Sequence, residues 1–176
     1  MRTRKEPTAR RLVAGSPLGP LGILWRPGPR VLRIELPGRR GPAAPPGTCP
    51  AVTRLAGDIC RFLAGEPVRF GLALLALETC PPFQRAVLEA EHRIPRGRVS
   101  SYRRLAEQVG RPGAARAVGS ALARNPFPVI IPCHRAVRSD GALGGFQGGL
   151  AMKRTLLEIE GVGFDPSGRV RPEHFR

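Results

Sequence analysis

The most informative stretch of the chain is Phe127-Pro128-Val129-Ile130-Ile131-Pro132-Cys133-His134-Arg135. Its apolar first half predicts a buried, extended segment that delivers Cys133 to an internal site. The segment then places a thiol beside an imidazole, and a cationic imidazole is one way to stabilise the thiolate that a reactive cysteine needs. The glycine-rich loop that follows, residues 141–149, allows backbone to come very close to a ligand. A buried structural cysteine is the alternative interpretation.

Length and charge narrow the class of protein. The chain has 176 residues, 41% of them hydrophobic, which suffices for one ordinary domain or two small lobes with a shared core. It carries 29 Lys and Arg against 13 Asp and Glu, a net charge of +16 that favours an anionic partner. If the charge only reflected an organism whose proteins are generally basic, the basic residues would be scattered along the chain. Residues 93–124 instead concentrate it, with one acid, Glu107, and eight arginines: Arg93, Arg96, Arg98, Arg103, Arg104, Arg111, Arg116 and Arg124. This clustering favours nucleic acid.

The cysteines and histidines do not form a metal-binding pattern. Cys49, Cys60, Cys80 and Cys133 are widely spaced, without a C-x-x-C pair, so we expect neither a metal nor another cofactor. No apolar stretch follows the basic N-terminus, so we predict no signal peptide, and we find no transmembrane segment. We expect a cytoplasmic protein, because a reducing compartment preserves a free thiol.

The first part of the chain predicts a small α/β lobe over residues 11–78, after a flexible basic arm at residues 1–10. Residues 12–14, 23–25 and 31–36 indicate short strands, the last two joined at Pro27-Gly28-Pro29. Residues 37–50 are rich in proline and glycine and indicate an irregular loop. Apolar residues recur at helical spacing from Val52 to Leu63. The lobe is therefore a short antiparallel sheet plus a helix.

The second part, residues 79–162, predicts a mainly helical lobe. A tail at residues 163–176 follows, with a turn at residues 165–168 and a mobile basic segment beyond it. One helix begins near Pro81-Pro82, and Ser100 or Ser101 caps a short helix that ends before Gly110-Arg111-Pro112-Gly113. A second helix, from Ala114 to about Arg124, completes the outline of a helix-turn-helix. An ordinary helical hairpin is the alternative, and the arginine clustering favours DNA binding. The fold class is thus α/β: an α/β lobe followed by a helical DNA-binding lobe.

The second helix of this motif has unusually small side chains for a reader of DNA bases. Such helices generally offer long polar side chains to the major groove, whereas small residues permit close backbone approach to a narrow groove. Arg116 is the long exception. It can enter the base stack in place of an extruded base, although a simple phosphate contact is the alternative.

Several separated motifs resemble the O6-alkylguanine-DNA alkyltransferase family, the methylated-DNA–protein-cysteine methyltransferases. The matching blocks are residues 99–106, Ala115-Arg116-Ala117-Val118-Gly119, residues 125–135, residues 148–153 and Glu160-Gly161. The resemblance is strong over residues 83–161 and looser over residues 13–80, where Ser16-Pro17-Leu18-Gly19 is the best sign.

The resemblance implies a role for each matching residue. Cys133 is the alkyl acceptor, His134 and Glu160 form a water-linked relay that activates it, and Asn125 shapes its turn. Tyr102 helps to rotate the nucleotide and contacts the base, and Arg116 fills the vacated stack. The remaining contacts are implied for DNA binding at Ala115, Ala117, Gly119, Ser120, Arg124 and Arg135, and for the base pocket at Phe146, Gln147, Ala136 and Pro128.

The implied activity is direct reversal of DNA damage by a monomer. The protein would bind double-stranded DNA in the minor groove, flip out O6-alkylguanine (O4-alkylthymine is a further substrate) and move the alkyl group to Cys133. No second nucleophile is evident to regenerate the thioether, so we expect one turnover per molecule. The alternatives are a non-catalytic protein that recognises alkyl lesions, against which Cys133 argues, and a cysteine hydrolase.

Two departures from the family pattern bear on the base pocket. Phe146 stands where tyrosine is frequent, which removes a hydroxyl contact. Ala136 stands where a larger aliphatic residue is common, which widens the pocket. The zinc site of some relatives is not supported by this sequence.

Overall fold

The computed structural model describes residues 9–39 and 43–176. The predicted basic arm therefore lies largely outside the described residues, as do residues 40–42 of the loop predicted at residues 37–50. Within the described ranges, no helix is both long enough and apolar enough to cross a membrane.

A three-stranded antiparallel sheet forms the first layer, as predicted. Its strands are β1 (Arg10–Ala14), β2 (Leu21–Arg26) and β3 (Arg30–Glu35), in the order β1-β2-β3. Ile23 pairs with Leu12 on one side and with Ile34 on the other. Helix α1 (Pro50–Leu63) covers the sheet with an apolar stripe of buried residues that recur at helical spacing: Val52, Leu55, Ala56, Ile59, Phe62 and Leu63.

The helical part confirms the predicted helix-turn-helix. After a single 3₁₀ turn at Leu77–Thr79 come α2 (Pro82–His92), α3 (Tyr102–Gln108), α4 (Ala115–Ala123) and α5 (Gly149–Ile159). The Ser101 hydroxyl caps α3 by accepting a 3.1 Å bond from the Arg104 amide. Two short strands that we did not predict, β4 (Ser100–Ser101) and β5 (Ala136–Val137), pair in parallel. They join the start of α3 to the segment that follows Cys133.

One apolar core unites the sheet with the helices. It contains α1 residues such as Phe62, α2 residues such as Leu88, and Cys133 itself. Backbone bonds also cross between the two parts, because the Ile34 amide of β3 donates to the Pro126 oxygen over 2.8 Å. The N-terminal sheet therefore supports the segment that carries the cysteine. The domain boundaries at residues 11–78 and 79–162 stay a prediction.

The C-terminal tail differs from the mobile segment that we expected. A second, smaller core buries Val170 together with Val99, Val137 and other apolar residues, and Phe175 packs against it. Backbone bonds join Val99 to His174 over 2.9 Å and to Arg176 over 3.0 Å. The tail is thus packed beside β4. The sequence did not predict this packing, because the apolar residues of the tail are isolated among arginines, prolines and glycines.

Candidate active site and DNA-binding surface

The segment before Cys133 is buried, as predicted, but it is a turn rather than an extended strand. The side chain of Asn125 replaces strand pairing: its Oδ1 accepts from the Phe127 amide at 2.9 Å and its Nδ2 donates to the Ile131 oxygen at 2.9 Å. Val129 has a φ of +75°, which is costly for a β-branched residue and holds only where the surroundings impose it. Asn125 therefore shapes the turn that places Cys133 at the start of a 3₁₀ helix, Cys133–Arg135.

His134 and Glu160 meet directly beside the cysteine. His134 Nε2 lies 2.8 Å from Glu160 Oε1, and neither side chain is exposed. Burial opposes ionisation of Glu160, but His134 and Arg135 outweigh it and lower the pKa of the carboxyl to about 2. An ionised carboxylate only accepts hydrogen bonds, so Nε2 carries the proton and Nδ1 is left as a base. Nδ1 is buried and has no hydrogen-bond partner among the described residues.

Arg135 is buried, which corrects our expectation that its side chain is free to bind DNA. Its Nε and Nη2 donate to the two oxygens of Glu160, each at 2.8 Å, and its Nη1 donates to the Ile94 oxygen. The guanidinium is thus consumed by a buried, bidentate ion pair. Arg135 therefore holds the Glu160 carboxylate in place, and Glu160 in turn orients His134.

The resting site does not hold a thiolate–imidazolium pair. Burial raises the pKa of the Cys133 thiol to about 12, although the Asn125 side chain opposes this. Burial also lowers the pKa of His134, so the imidazole is neutral near pH 7. Near pH 7 the site therefore holds a neutral thiol beside a neutral imidazole.

Lys153 is a functional candidate that we missed in the sequence. It is fully buried, and the three N–H groups of its Nζ are shared among four acceptors: the Ala136 oxygen at 2.6 Å, the Leu143 oxygen, the Gly145 oxygen at 3.2 Å and Tyr102 Oη at 3.3 Å. One ammonium thus ties the loop after β5 to the side chain of Tyr102. The available signal was composition, because Lys5 and Lys153 are the only lysines among 29 basic residues.

An open groove of about 600 Å³ is lined both by residues predicted to bind DNA and by residues predicted for the base pocket. Its lining comes from α3, α4, the loop before α5 and the loop after β3, and comprises Arg39, Tyr102, Ala115, Arg116, Gly119, Ala123, Gly145, Phe146 and Gln147. Arg116 is exposed on α4, as are Ala117 and Ser120, and Arg124 is exposed just beyond that helix. Gly144 has a φ of +66°, and a β-carbon there would lie 2.7 Å from Tyr102 Oη. The loop therefore approaches the tyrosine closely because glycine is present.

The residues predicted for the base pocket divide into two groups. Phe146 and Gln147 line the groove, whereas Ala136 and Pro128 are buried, outside its described lining. Ala136 is held by its pairing with Ser100 and by the bond from Lys153. The widened pocket that we expected from Ala136 is therefore not part of the groove in this conformation.

Cys133 is not part of the described lining of the groove; Phe146 and Gln147, which are, contact residues next to Cys133 and form the wall of the groove on this side. Gln147 Nε2 donates to the Asn125 oxygen at 2.6 Å, and the Phe146 ring stands edge-on to the His134 ring with centroids 6.4 Å apart. Cys133 itself is 4% exposed. Arg39, which we also missed, braces this wall through two bonds from its guanidinium to the Gln147 oxygen, at 2.7 and 3.0 Å.

Comparison with known proteins gives the same family as the motifs. Residues 82–162 match the family model of the 6-O-methylguanine DNA methyltransferase DNA-binding domain. The methylated-DNA–protein-cysteine methyltransferase of Methanothermobacter thermautotrophicus is 40% identical over 149 residues, which cover 85% of this chain and 84% of that protein. The protein of the same name from Mycobacterium leprae is 40% identical over 148 residues, 82% of this chain and 88% of that one.

The chain belongs to the methylated-DNA–protein-cysteine methyltransferase family.

Solved structures confirm the fold of this methyltransferase. The crystal structure of Mycobacterium tuberculosis OGT in complex with DNA superposes with a TM-score of 0.75 and 33% sequence identity, over 86% of this chain and 92% of that one. The structure of the Mycobacterium tuberculosis O6-methylguanine methyltransferase gives a TM-score of 0.73 over the same shares. In the described part of the methyltransferase, no three His, Cys, Asp or Glu side chains group as ligands of a metal ion.

Proposed function

We propose that this methyltransferase repairs double-stranded DNA by moving the alkyl group of O6-alkylguanine to its own Cys133. The observation that carries the proposal is the buried Cys133 next to the His134–Glu160 pair, connected through Phe146 and Gln147 to a groove lined by the helix-turn-helix. A thiolate is a soft nucleophile suited to displacement at carbon. The same machinery extends to O4-alkylthymine, whose alkyl group is bonded to a comparable oxygen.

DNA binding rests on α4 and its surroundings. The small residues Ala115 and Gly119 let the helix surface approach the minor groove, with Ala117, Ser120 and Arg124 around them. Arg116 stands alone as a long cation and takes the place of the extruded guanine in the stack. Flipping costs a few kcal/mol and less for a weakened base pair, so an alkylated base is favoured before any bond changes.

Proton transfer during the reaction runs through the relay. A water between the Cys133 thiol and His134 Nδ1 passes the thiol proton to the imidazole, and Glu160 stabilises the resulting cation. The sulfur then attacks the alkyl carbon, so the S–C bond forms as the C–O6 bond breaks. The guanine that leaves gains a proton, which balances the proton lost by the thiol.

Tyr102 supplies the proton that guanine requires as charge develops. Burial raises the pKa of its hydroxyl to about 12, so it holds its proton until an anion forms next to it. Lys153 donates to Tyr102 Oη at 3.3 Å and lies 5.7 Å from the centre of its ring, so a positive charge is ready to stabilise a tyrosinate. Phe146 and Gln147 cover the flipped base once the wall between groove and cysteine has opened.

Each molecule acts once, as a monomer, in the cytoplasm. The relay, the thiol and the groove all come from one chain, and no neighbouring nucleophile can remove an alkyl group from a thioether. A reducing compartment keeps Cys133 free.

The test is the stoichiometry of transfer from a duplex with radiolabelled O6-methylguanine. The wild type should take up one methyl group per molecule and then stop. Cys133→Ser should bind the same duplex and take up none, whereas Cys80→Ser, which alters a half-buried cysteine remote from the relay, should match the wild type. Repeated turnover, or transfer by Cys133→Ser, would overturn the proposal.

A further inference from the structure

Glu91 is a buried carboxyl that the mechanism above does not use. It lies on α2, is 0% exposed, and neither of its oxygens has a hydrogen-bond partner among the described residues. Buried carboxyls are nearly always paired or hydrogen-bonded, because removing them from water is costly. A buried carboxyl without such a partner therefore indicates a specific electrostatic role.

The reacting groups surround Glu91. Burial raises its pKa to about 8, and Lys153 and Arg135 oppose this rise. The backbone N–H of Ala136 also favours the ionised form of Glu91, although its geometry does not meet the criteria for a hydrogen bond. The titratable groups that act on it or respond to it come from the 3₁₀ helix, from α3 and from α5 with its C-terminal cap: Cys133, Arg135, Tyr102, Lys153 and Glu160. The third helix against α2 is α4, whose buried residues are apolar: Val118, Ala121 and Leu122.

Lys153 has hydrogen-bond acceptors but no bonded carboxylate. Its four partners are three backbone oxygens and the Tyr102 hydroxyl. Burial lowers the pKa of Lys153 to about 8, while Cys133 and Glu91 raise it. The other carboxylate nearby, Glu160, is already bonded to His134 and Arg135. Glu91 is thus the one carboxyl in this described cluster that remains available to Lys153.

We propose that Glu91 is a positioning residue for alkyl transfer that acts through Lys153, as the buried counter-ion that keeps the proton on this lysine. The proposal rests on the function proposed above, in which charged Lys153 supports Tyr102 and the loop over the groove. As the pH rises, Glu91 ionises and Lys153 remains an ammonium with three donors. Without Glu91, Lys153 becomes a neutral amine at a lower pH, and Tyr102 and the loop carbonyls lose a donor and a charge.

The test is a titration of Lys153 followed by NMR of protein labelled with ¹³C at lysine Cε. The chain has two lysines, so the spectrum contains one signal from Lys5 and one from Lys153. Glu91→Gln should move the titration midpoint of Lys153 to lower pH by about one unit or more, the size of effect that a close opposite charge has. Glu89→Gln is the matched control, because Glu89 lies on the same helix but pairs with Arg85 at the surface. An unchanged midpoint in Glu91→Gln would overturn the proposal.

The wild type gives a second reading that does not depend on the folding of a variant. If Glu91 and Lys153 interact, the Lys153 signal should depart from a simple one-proton curve, because the ionisation of Glu91 and the loss of the lysine proton both fall near pH 8 and affect each other. A simple one-proton curve at the lysine would contradict the pairing.

Kinetics then link the pair to the reaction. Glu91→Gln should transfer methyl groups at nearly the wild-type rate near pH 6 and fall progressively behind between about pH 7 and pH 9, because its Lys153 loses the proton about one unit or more below the wild-type midpoint near pH 8. A purely structural role would lower the rate equally at every pH. Equal losses across the range would refute the positioning role. The NMR titration requires neither DNA nor transfer, so failure of transfer to Cys133 and failure of the Glu91–Lys153 pairing are separate outcomes.

Discussion

His134 Nε2 and Glu160 Oε1 lie 2.8 Å apart in a site where neither side chain reaches solvent. The same carboxylate receives a bidentate bond from Arg135. Glu160 therefore serves two purposes: it sets which nitrogen of His134 is a base, and it compensates a buried guanidinium. A substitution of Glu160 should therefore lower both the rate of methyl transfer and the free energy of unfolding.

Glu160→Gln should slow methyl transfer by about 100-fold or more, the usual contribution of a positioned acid–base group. It should also lower the free energy of unfolding by about 3 to 5 kcal/mol, because Arg135 loses its buried counter-ion. Single-turnover kinetics and urea unfolding measure the two effects. Glu158→Gln is the control, since Glu158 pairs with Arg154 at the surface of α5. A variant as fast as the wild type would contradict the relay.

Acid should destabilise the protein through the same carboxyl. The folded pKa of Glu160 is about 2, below its ordinary 4.5, so the stability that it contributes is complete above pH 4.5 and is lost as the pH falls towards 2. Urea unfolding at a series of pH values should therefore show a loss in the wild type that Glu160→Gln lacks. Parallel curves for the two proteins would show that this carboxyl is not the source.

Gly144→Ala should disable Tyr102 without touching the cysteine. A β-carbon would lie 2.7 Å from Tyr102 Oη, and the φ of +66° adds strain of about 1 kcal/mol for any other residue. We expect methyl transfer to slow at least tenfold. Gly65→Ala is the control and should match the wild type, because its φ of +98° is also positive but a β-carbon there meets no described atom within 4 Å. Stopped-flow measurements on both variants check this, and equal rates would remove Gly144 from the account.

Arg116→Ala should slow repair of duplex DNA far more than reaction with the free base O6-benzylguanine. The side chain is exposed on α4, away from the relay, so it matters only when a base must leave the stack. Arg54→Ala, at an exposed position on α1, removes the same charge elsewhere and should leave both rates unchanged. Equal losses of Arg116→Ala on the two substrates would point to a general defect rather than to flipping.

Local patterns sufficed for the helices and for strands β1 to β3, and for part of the site, but not for the short strands β4 and β5. The spacing from Val52 to Leu63 predicted α1 because only one face of that helix is buried. The apolar run before Cys133 correctly predicted burial but wrongly predicted an extended segment, because the side-chain bonds of Asn125 override the preference of such a run for a strand. Only the family resemblance implied that Asn125 shapes a turn there. Arg135 was misplaced because its partner, Glu160, is 25 residues away along the chain.

The burial of charged side chains could not be predicted from any local sequence pattern. Lys153 and Glu91 each look like a surface residue of an amphipathic helix when the sequence is viewed alone. Only the packing of α2 and α5 around the 3₁₀ helix encloses both, and Arg39 reaches Gln147 across 108 residues of chain.

The most direct measurement of the central claim is the mass of one tryptic peptide after reaction with a duplex that contains O6-methylguanine. Trypsin releases residues 125–135, a peptide in which Cys133 is the only cysteine. The account predicts that this peptide gains one methyl group, fixed by fragmentation to Cys133, as the lesion disappears in equal amount. A lesion repaired while this peptide keeps its original mass would contradict it.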